Sequence, residues 1–179
     1  MNASVPVPSL FNLRPEAEQA PSSGIVDVFN HARGREGVIP LWVGEGDLPT
    51  PAFICDAATR SLAAGETFYT YQRGIPDLRQ ALARYHERVY GQPSDPERFF
   101  VTTGGMPAMQ IAMRMVSGNG DEVLIPTPAW PNFVGAVTVA GARPVAVPMV
   151  FGQNGWNLDF ERIESSVTPR PRAILVNSP

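Results

Sequence analysis

The stretch FFVTTGGMPAMQIAMRMVSGNGDEVLIPTPAWPNF, residues 99–133, decides the fold class of this chain. Its pattern predicts a strand over 99–102, a turn through two glycines, a helix over 105–116 with a methionine-rich face, and a second strand over 122–126. Strands that alternate with helices in this way are typical of an α/β protein whose sheet is mostly parallel.

The same alternation extends beyond this stretch in both directions. It predicts helices over 24–32, 52–64, 76–90, 131–139 and 158–165, and strands over 39–43, 143–148 and 173–177. The sequence therefore predicts an α/β fold, a three-layer sandwich with a mostly parallel sheet. Because a domain seldom ends as it leaves a central strand, we expect the printed chain to be part of a longer polypeptide.

Composition and charge exclude several classes of protein. Hydrophobic residues make up 44% of the chain, an ordinary globular value. The net charge is −3 and there is no basic run, so the sequence lacks the electrostatic signature of nucleic-acid or anionic-membrane binding. No apolar stretch approaches the roughly 20 residues that span a bilayer. Cys55 is the single cysteine, so no internal disulfide can form, which fits the reducing cytoplasm.

The chain contains no lysine, because all 14 of its Lys and Arg residues are Arg. Lysine Schiff-base chemistry is therefore impossible within this chain alone. The spacings also fail to indicate a metal site, since His31 and His86 have no Cys, His or carboxylate partner at metal-ligand spacing. We therefore expect residues 1–179 to contain no catalytic residue and no metal ligand.

Two segments have the chemistry of a cofactor site. In VTTGGM, residues 101–106, a predicted strand passes through Gly104 and Gly105 into a helix, and free N–H groups at a helix N-terminus bind phosphate. In PTPAWPNF, residues 126–133, Trp130 follows a predicted strand, where open α/β sheets bind ligands. Its rigid indole could stack on a flat heteroaromatic ring. A plain tight turn and a core tryptophan are the simpler structural alternatives.

Two loops offer further polar groups. GEGDLPTP, residues 44–51, has glycine backbone amides that can hold a carboxylate. FYTYQRGIPDLR, residues 68–79, has tyrosine hydroxyls that can donate to phosphate. Each loop also has a simpler explanation, since the first can be a turn after the N-terminal arm and the second can be aromatic packing.

Taken in order, these segments resemble the class I/II family of pyridoxal-phosphate (PLP) aminotransferases, which have fold type I. Residues 44–51 are similar to the family's G-E-x-D-x-x-T-P loop, and 69–79 to its Y-x-x-x-x-G-x-x-x-L-R segment. Residues 101–109 are similar to its phosphate loop, 120–132 to G-D-E-V-x-x-x-x-P-x-W/Y-x-x-Y, and 177–179 to the start of N-x-P-x-N-P-T-G. Each motif alone is loose, whereas the ordered set is highly specific.

The resemblance implies a role for each matched residue. The phosphate of PLP would be held by Gly104, Gly105 and Met106. Trp130 would stack on the pyridine ring and border the substrate, and Gly44 would offer its backbone N–H to the substrate carboxylate. Tyr69 would reach across a dimer interface to the partner's cofactor phosphate, which implies a homodimer.

The resemblance also implies a domain division and a list of missing residues. Residues 1–48 would form an N-terminal arm and part of the small domain, and 49–179 the first half of the large PLP-binding domain. The family's lysine, its 3-oxygen asparagine, its pyridinium aspartate and its carboxylate-clamping arginine would lie beyond Pro179, and Asn177 is not that asparagine. Gly46 stands where the family often has Pro, which would loosen that loop.

The implied function is transfer of an amino group between an amino acid and a 2-oxo acid by a cytoplasmic enzyme. The same scaffold serves β-elimination, decarboxylation and synthase reactions, which this half of the chain barely distinguishes. A non-catalytic module, such as the sensor domain of a transcriptional regulator, is the alternative from another class, although only residues 1–22 precede the first predicted helix. A lysine-free half that works only with a partner chain is a third.

Overall fold

The computed structural model describes residues 12–178, so residues 1–11 of the predicted N-terminal arm lie outside the described part. The described elements follow in this order: α1 (Pro15–Glu18), α2 (Gly24–Ala32), α3 (Ala52–Ala63), α4 (Pro76–Tyr90), a 3-10 turn (Pro96–Arg98), α5 (Gly105–Val116), β1 (Glu122–Thr127), α6 (Asn132–Ala140), β2 (Arg143–Pro148), β3 (Val150–Gly152), β4 (Gly155–Asn157), α7 (Phe160–Ser165) and β5 (Pro171–Ile174).

The chain forms two compact units. Among the described residues, the sheet unit consists of 12–38 and 106–178, and the helical unit consists of 39–105. The predicted division into residues 1–48 and 49–179 stays a prediction. Within residues 12–178, no helix combines the length and the apolar content that a membrane crossing requires.

The sheet unit is built around β1, which lies between two parallel neighbours in the order β2-β1-β5. Six residue pairs join β1 to β2, and β5 pairs with its other edge. Beyond β5, the Leu175 N–H continues the ladder by donating to the Leu124 carbonyl over 2.8 Å. The first five residues of β1 are buried. A strand covered on both faces is nearly continuous in apolar character, as EVLIPT is.

Helices α5 and α6 supply side chains to the main core of this unit. Its buried cluster consists of Met113, Val123, Ile125, Phe133, Val137 and Ala142. Full burial of an aliphatic side chain such as Ile125 contributes about 1.5–3 kcal/mol relative to exposure. Because parallel crossovers are right-handed, the strand order puts α6, between β1 and β2, and α7, between β2 and β5, on opposite faces. The predicted α/β class with a parallel sheet is confirmed.

A polar cluster closes the amino end of β1. The buried Glu122 carboxylate accepts hydrogen bonds from the Thr168 hydroxyl, at 2.5 Å, and from the Arg143 guanidinium. The Thr168 hydroxyl and then the Arg143 guanidinium hold the pKa of Glu122 below its usual value. This charged carboxylate ties β1 to β2 and to the segment ahead of β5.

Helix α4 is the framework of the helical unit. It begins at Pro76, whose fixed φ suits a first helical turn, and it is capped by Gly91 at φ +70°. The buried Arg79 donates to the Pro96 carbonyl over 2.9 Å and pairs with Glu97 at 2.6 Å. These bonds hold the 3-10 turn against α4.

Three local expectations differ from the structure. The predicted strands over 39–43 and 99–102 are irregular. Over 99–102, the Val101 N–H donates to the Arg73 carbonyl at 3.0 Å, and one such bond is not a ladder. Conversely, an antiparallel hairpin, β3–β4, lies in a segment for which the sequence predicted neither a helix nor a strand. In each case pairing with another segment decided the outcome, and local apolar character did not.

Replacing Gly74 with Ala should destabilise the protein more than replacing Gly65. Gly74 has φ +100°, and a Cβ there would lie 2.5 Å from Cγ2 of Val101, whereas Gly65, at φ +78°, has open space for a Cβ. Gly65→Ala therefore carries only left-handed backbone strain, about 1–2 kcal/mol, and Gly74→Ala adds about 1–3 kcal/mol of overpacking. Urea unfolding measures both. If both substitutions lower the free energy of unfolding equally, the Val101 side chain can move away from the added Cβ without loss of stability.

Candidate functional site

The glycine turn ahead of α5 has an open helix start. Gly104 adopts φ +138°, a conformation that favours glycine, and its carbonyl accepts a bond from the Thr102 hydroxyl at 2.8 Å. Gly105 begins α5, and a Cβ there would meet nothing within 4 Å. The first N–H groups of a helix have no partner inside it and carry the positive end of its dipole. This start, with the half-buried Met106 next in the chain, can hold a phosphate.

Trp130 follows β1 at the carboxyl edge of the parallel sheet. Its side chain is 41% exposed, whereas Phe133 is only 8% exposed. The two rings are perpendicular, at 89°, with their centroids 5.5 Å apart. A tryptophan of the core would be buried like Phe133, so the exposed fraction of Trp130 disfavours that alternative and leaves part of the indole free for a ligand.

A cavity of about 660 Å³ opens beside Trp130. It is lined by ten uncharged residues from the exits of β1, β2 and β5 and from β4: Pro126, Pro128, Ala129, Trp130, Met149, Trp156, Leu158, Val176, Asn177 and Ser178. The carboxyl edge of a parallel sheet is where α/β proteins bind ligands. A mostly apolar cavity of this volume suits a small flat organic molecule.

The β3–β4 hairpin supplies a wall of this cavity that the sequence analysis missed. Phe151 and Trp156 face each other across the hairpin, with ring centroids 5.1 Å apart, and Trp156 also lines the cavity. Gly152 and Gly155 flank a two-residue turn between apolar residues, which is a hairpin signature. The signal was weak because each strand has only three residues.

The other two predicted site residues lie in the helical unit. Gly44 is exposed, and a Cβ there would meet nothing within 4 Å. Tyr69 is fully exposed in the loop between α3 and α4. Both groups are therefore accessible, as a binding role requires, and the roles themselves stay predictions.

A parallel sheet with a half-exposed tryptophan and an uncharged cavity at its carboxyl edge defines a ligand-binding α/β domain. The family model for aminotransferase class I and II matches residues 36–179. The chain belongs to this PLP-dependent family, and the resemblance inferred from the ordered motifs is confirmed.

Curated relatives and solved structures agree with this assignment. The chain is 39% identical over 147 residues to the probable aspartate/prephenate aminotransferase of Thermus aquaticus. The matched stretch covers 81% of this chain and 38% of that protein. It is 34% identical over 163 residues to aromatic-amino-acid aminotransferase 2 of Thermococcus litoralis, over 90% of this chain and 42% of that protein. Aspartate aminotransferase from Thermus thermophilus with maleate matches with a TM-score of 0.85 at 36% identity, over 95% of this chain and 45% of that one. The chain thus spans less than half the length of these relatives.

The described residues fit two parts of PLP. Trp130 offers an indole beside an uncharged cavity for the flat ring, and Gly104, Gly105 and Met106 offer a helix start open to a phosphate. They do not supply a covalent anchor, because the printed sequence has no lysine.

Substitutions of Trp130 should change cofactor binding more than folding. Here the full-length protein means a polypeptide that contains this chain and is as long as its relatives. In that protein, Trp130→Ala should weaken PLP binding about ten- to a hundredfold, if stacking and positioning contribute roughly 1.4–2.8 kcal/mol. Trp130→Phe keeps a flat ring and should retain much of the affinity. PLP titration and thermal melts with and without cofactor measure this, since a ligand stabilises only the state that binds it. Equal destabilisation of both forms by Trp130→Ala, with PLP affinity unchanged, would make Trp130 a core residue.

Proposed function

We propose that this chain is the N-terminal portion of a PLP-dependent aminotransferase, which transfers an amino group between an amino acid and a 2-oxo acid. The observation that carries the proposal is the half-exposed Trp130 beside an uncharged cavity at the carboxyl edge of the sheet. A flat heteroaromatic cofactor needs an apolar wall of this kind. The family match and the relatives named as aminotransferases support it.

The residues of this chain bind and orient in this proposal. Gly104, Gly105 and Met106 hold the cofactor phosphate through backbone N–H groups and so anchor one end of the molecule. Trp130 stacks on the ring, limits its tilt and borders the substrate. Gly44 offers its backbone N–H to the substrate carboxylate. When bound, PLP supplies an electron sink for the charge that develops at the substrate Cα.

The covalent anchor for the cofactor has to come from outside residues 1–179, because they contain no lysine. In such enzymes a lysine amine would supply the covalent anchor for PLP. We therefore infer that this chain alone is inactive and that a longer polypeptide carries the lysine.

Tyr69 supports a homodimer with sites at its interface. Its side chain is fully exposed, so its hydroxyl is available to a neighbouring molecule. Tyrosine hydroxyls donate hydrogen bonds to phosphate. In this proposal the recipient is the phosphate of the cofactor bound by the partner subunit.

The single cysteine, Cys55, supports a cytoplasmic location.

The full-length protein should catalyse transamination, and purified residues 1–179 should not. With PLP, 2-oxoglutarate and a donor such as aspartate or phenylalanine, the full-length protein should form glutamate, whereas the lysine-free chain should form none. An assay coupled to glutamate measures both. Turnover by residues 1–179, free of longer protein, would contradict the lysine argument. Release of ammonia or carbon dioxide, without glutamate, would favour the lyase or decarboxylase alternative.

Tyr69→Phe in the full-length protein should weaken PLP retention about ten- to a hundredfold, because a hydrogen bond to a charged group contributes about 1.5–3 kcal/mol. Tyr71→Phe is the matched control, since Tyr71 is exposed in the same loop. Equilibrium dialysis measures the retained PLP, and sedimentation measures the oligomeric state. A fully active monomer at assay concentration, or equal effects of the two substitutions, would count decisively against the interface role.

A further inference from the structure

The geometry points to Phe133 as the positioning residue for Trp130. We infer that the Phe133 ring, held in the core, sets the orientation in which the indole faces a flat ring ligand. The identity of that ligand as PLP rests on the proposed function, whereas the effect of Phe133 on the indole does not.

The first argument is the difference in burial between two rings in contact. Phe133 is 8% exposed and belongs to the core cluster, while Trp130 is 41% exposed. The rings meet at 89° with centroids 5.5 Å apart, which is a favoured edge-to-face geometry. The Phe133 N–H also donates to the Trp130 carbonyl over 3.1 Å. A buried ring is thus the fixed partner, and a half-exposed ring is the one that it restrains.

The second argument is the position of each ring relative to the cavity. Trp130 lines the 660 Å³ cavity, and Phe133 is not among the lining residues. Phe133 therefore supports the indole from the core and leaves the cavity free. A substitution at Phe133 can act on a ligand in that cavity only through Trp130 or through the fold as a whole.

The third argument is the link from Phe133 to α5. Phe133 and Met113 of α5 belong to the same buried cluster, and Met109 of the same helix packs against that cluster. Helix α5 is the one whose first turn is proposed to hold the cofactor phosphate. Phe133 thus belongs to the core packing that relates Trp130 to α5.

The simpler explanation is that Phe133 only fills the core, and Val137 provides the control for it. Val137 lies one turn further along α6, is fully buried and belongs to the same cluster. Val137→Ala should lower stability by the general route that any core truncation takes. It leaves the ring pair of Trp130 and Phe133 in place.

The experiment compares Phe133→Leu, Phe133→Tyr and Val137→Ala in the full-length protein, each with Trp130 present and with Trp130→Ala. Phe133→Leu should weaken PLP binding about two- to tenfold, the range expected for loss of an aromatic pair. In the Trp130→Ala background the same substitution should cost less than about twofold, because a residue that acts through another has no separate effect once that one is removed. Phe133→Tyr and Val137→Ala should stay within about twofold.

A readout without cofactor accompanies this cycle. The near-ultraviolet circular dichroism of Trp130, obtained as the difference between each protein and its Trp130→Ala counterpart, should collapse in Phe133→Leu and persist in Phe133→Tyr and Val137→Ala. If Phe133→Leu does not fold, Phe133→Met fills the space with a flexible side chain and carries the same expectation for this signal.

The inference is overturned if the Phe133→Leu effect on PLP binding is equally large without the indole, or if the Trp130 dichroism survives the substitution. A protein that binds no PLP would instead contradict the proposed function. In that case the dichroism alone decides, since its loss in Phe133→Leu supports the positioning role and its persistence refutes it.

Discussion

Burial of β1 between β2 and β5 is the constraint on which the rest of the sheet unit depends. A buried strand must pair its backbone N–H and C=O groups, and β1 finds partners in two parallel neighbours. Parallel neighbours have to be joined by crossovers, so α6 and α7 must cover the faces of the sheet. The layered arrangement follows from where the backbone of one strand finds its hydrogen bonds.

The same constraint gathers the candidate site. Parallel strands direct their carboxyl ends to one edge, so segments distant in sequence, such as Pro126–Trp130, Met149 and Val176–Ser178, border one cavity. The amino end of β1 is different in character, since the charged Glu122 and its partners tie the strands together there. The amino end of β1 therefore holds neighbouring segments together, and its carboxyl end leaves an uncharged surface for a ligand.

In the proposed function this chain contributes a binding surface. The phosphate would be held by backbone N–H groups at Gly104–Met106, and the ring would lie on the Trp130 indole, which contacts Phe133 edge to face. Neither group gains or loses a proton at neutral pH. Such groups orient a cofactor, and the lysine that would react with it is absent from all 179 residues.

The sequence by itself determined the α/β class, the helices with strong apolar periodicity or distinct ends, such as α4, the glycine turn before α5 and the position of Trp130 after a strand. These are local properties: periodicity, proline and glycine chemistry, and motif order. Tertiary structure alone decided that 99–102 is irregular, that β3 and β4 pair, and that Phe133 meets Trp130 edge to face. Pairing and ring contacts depend on which distant segment lies alongside, and an apolar run looks the same in sequence whether or not it finds a partner.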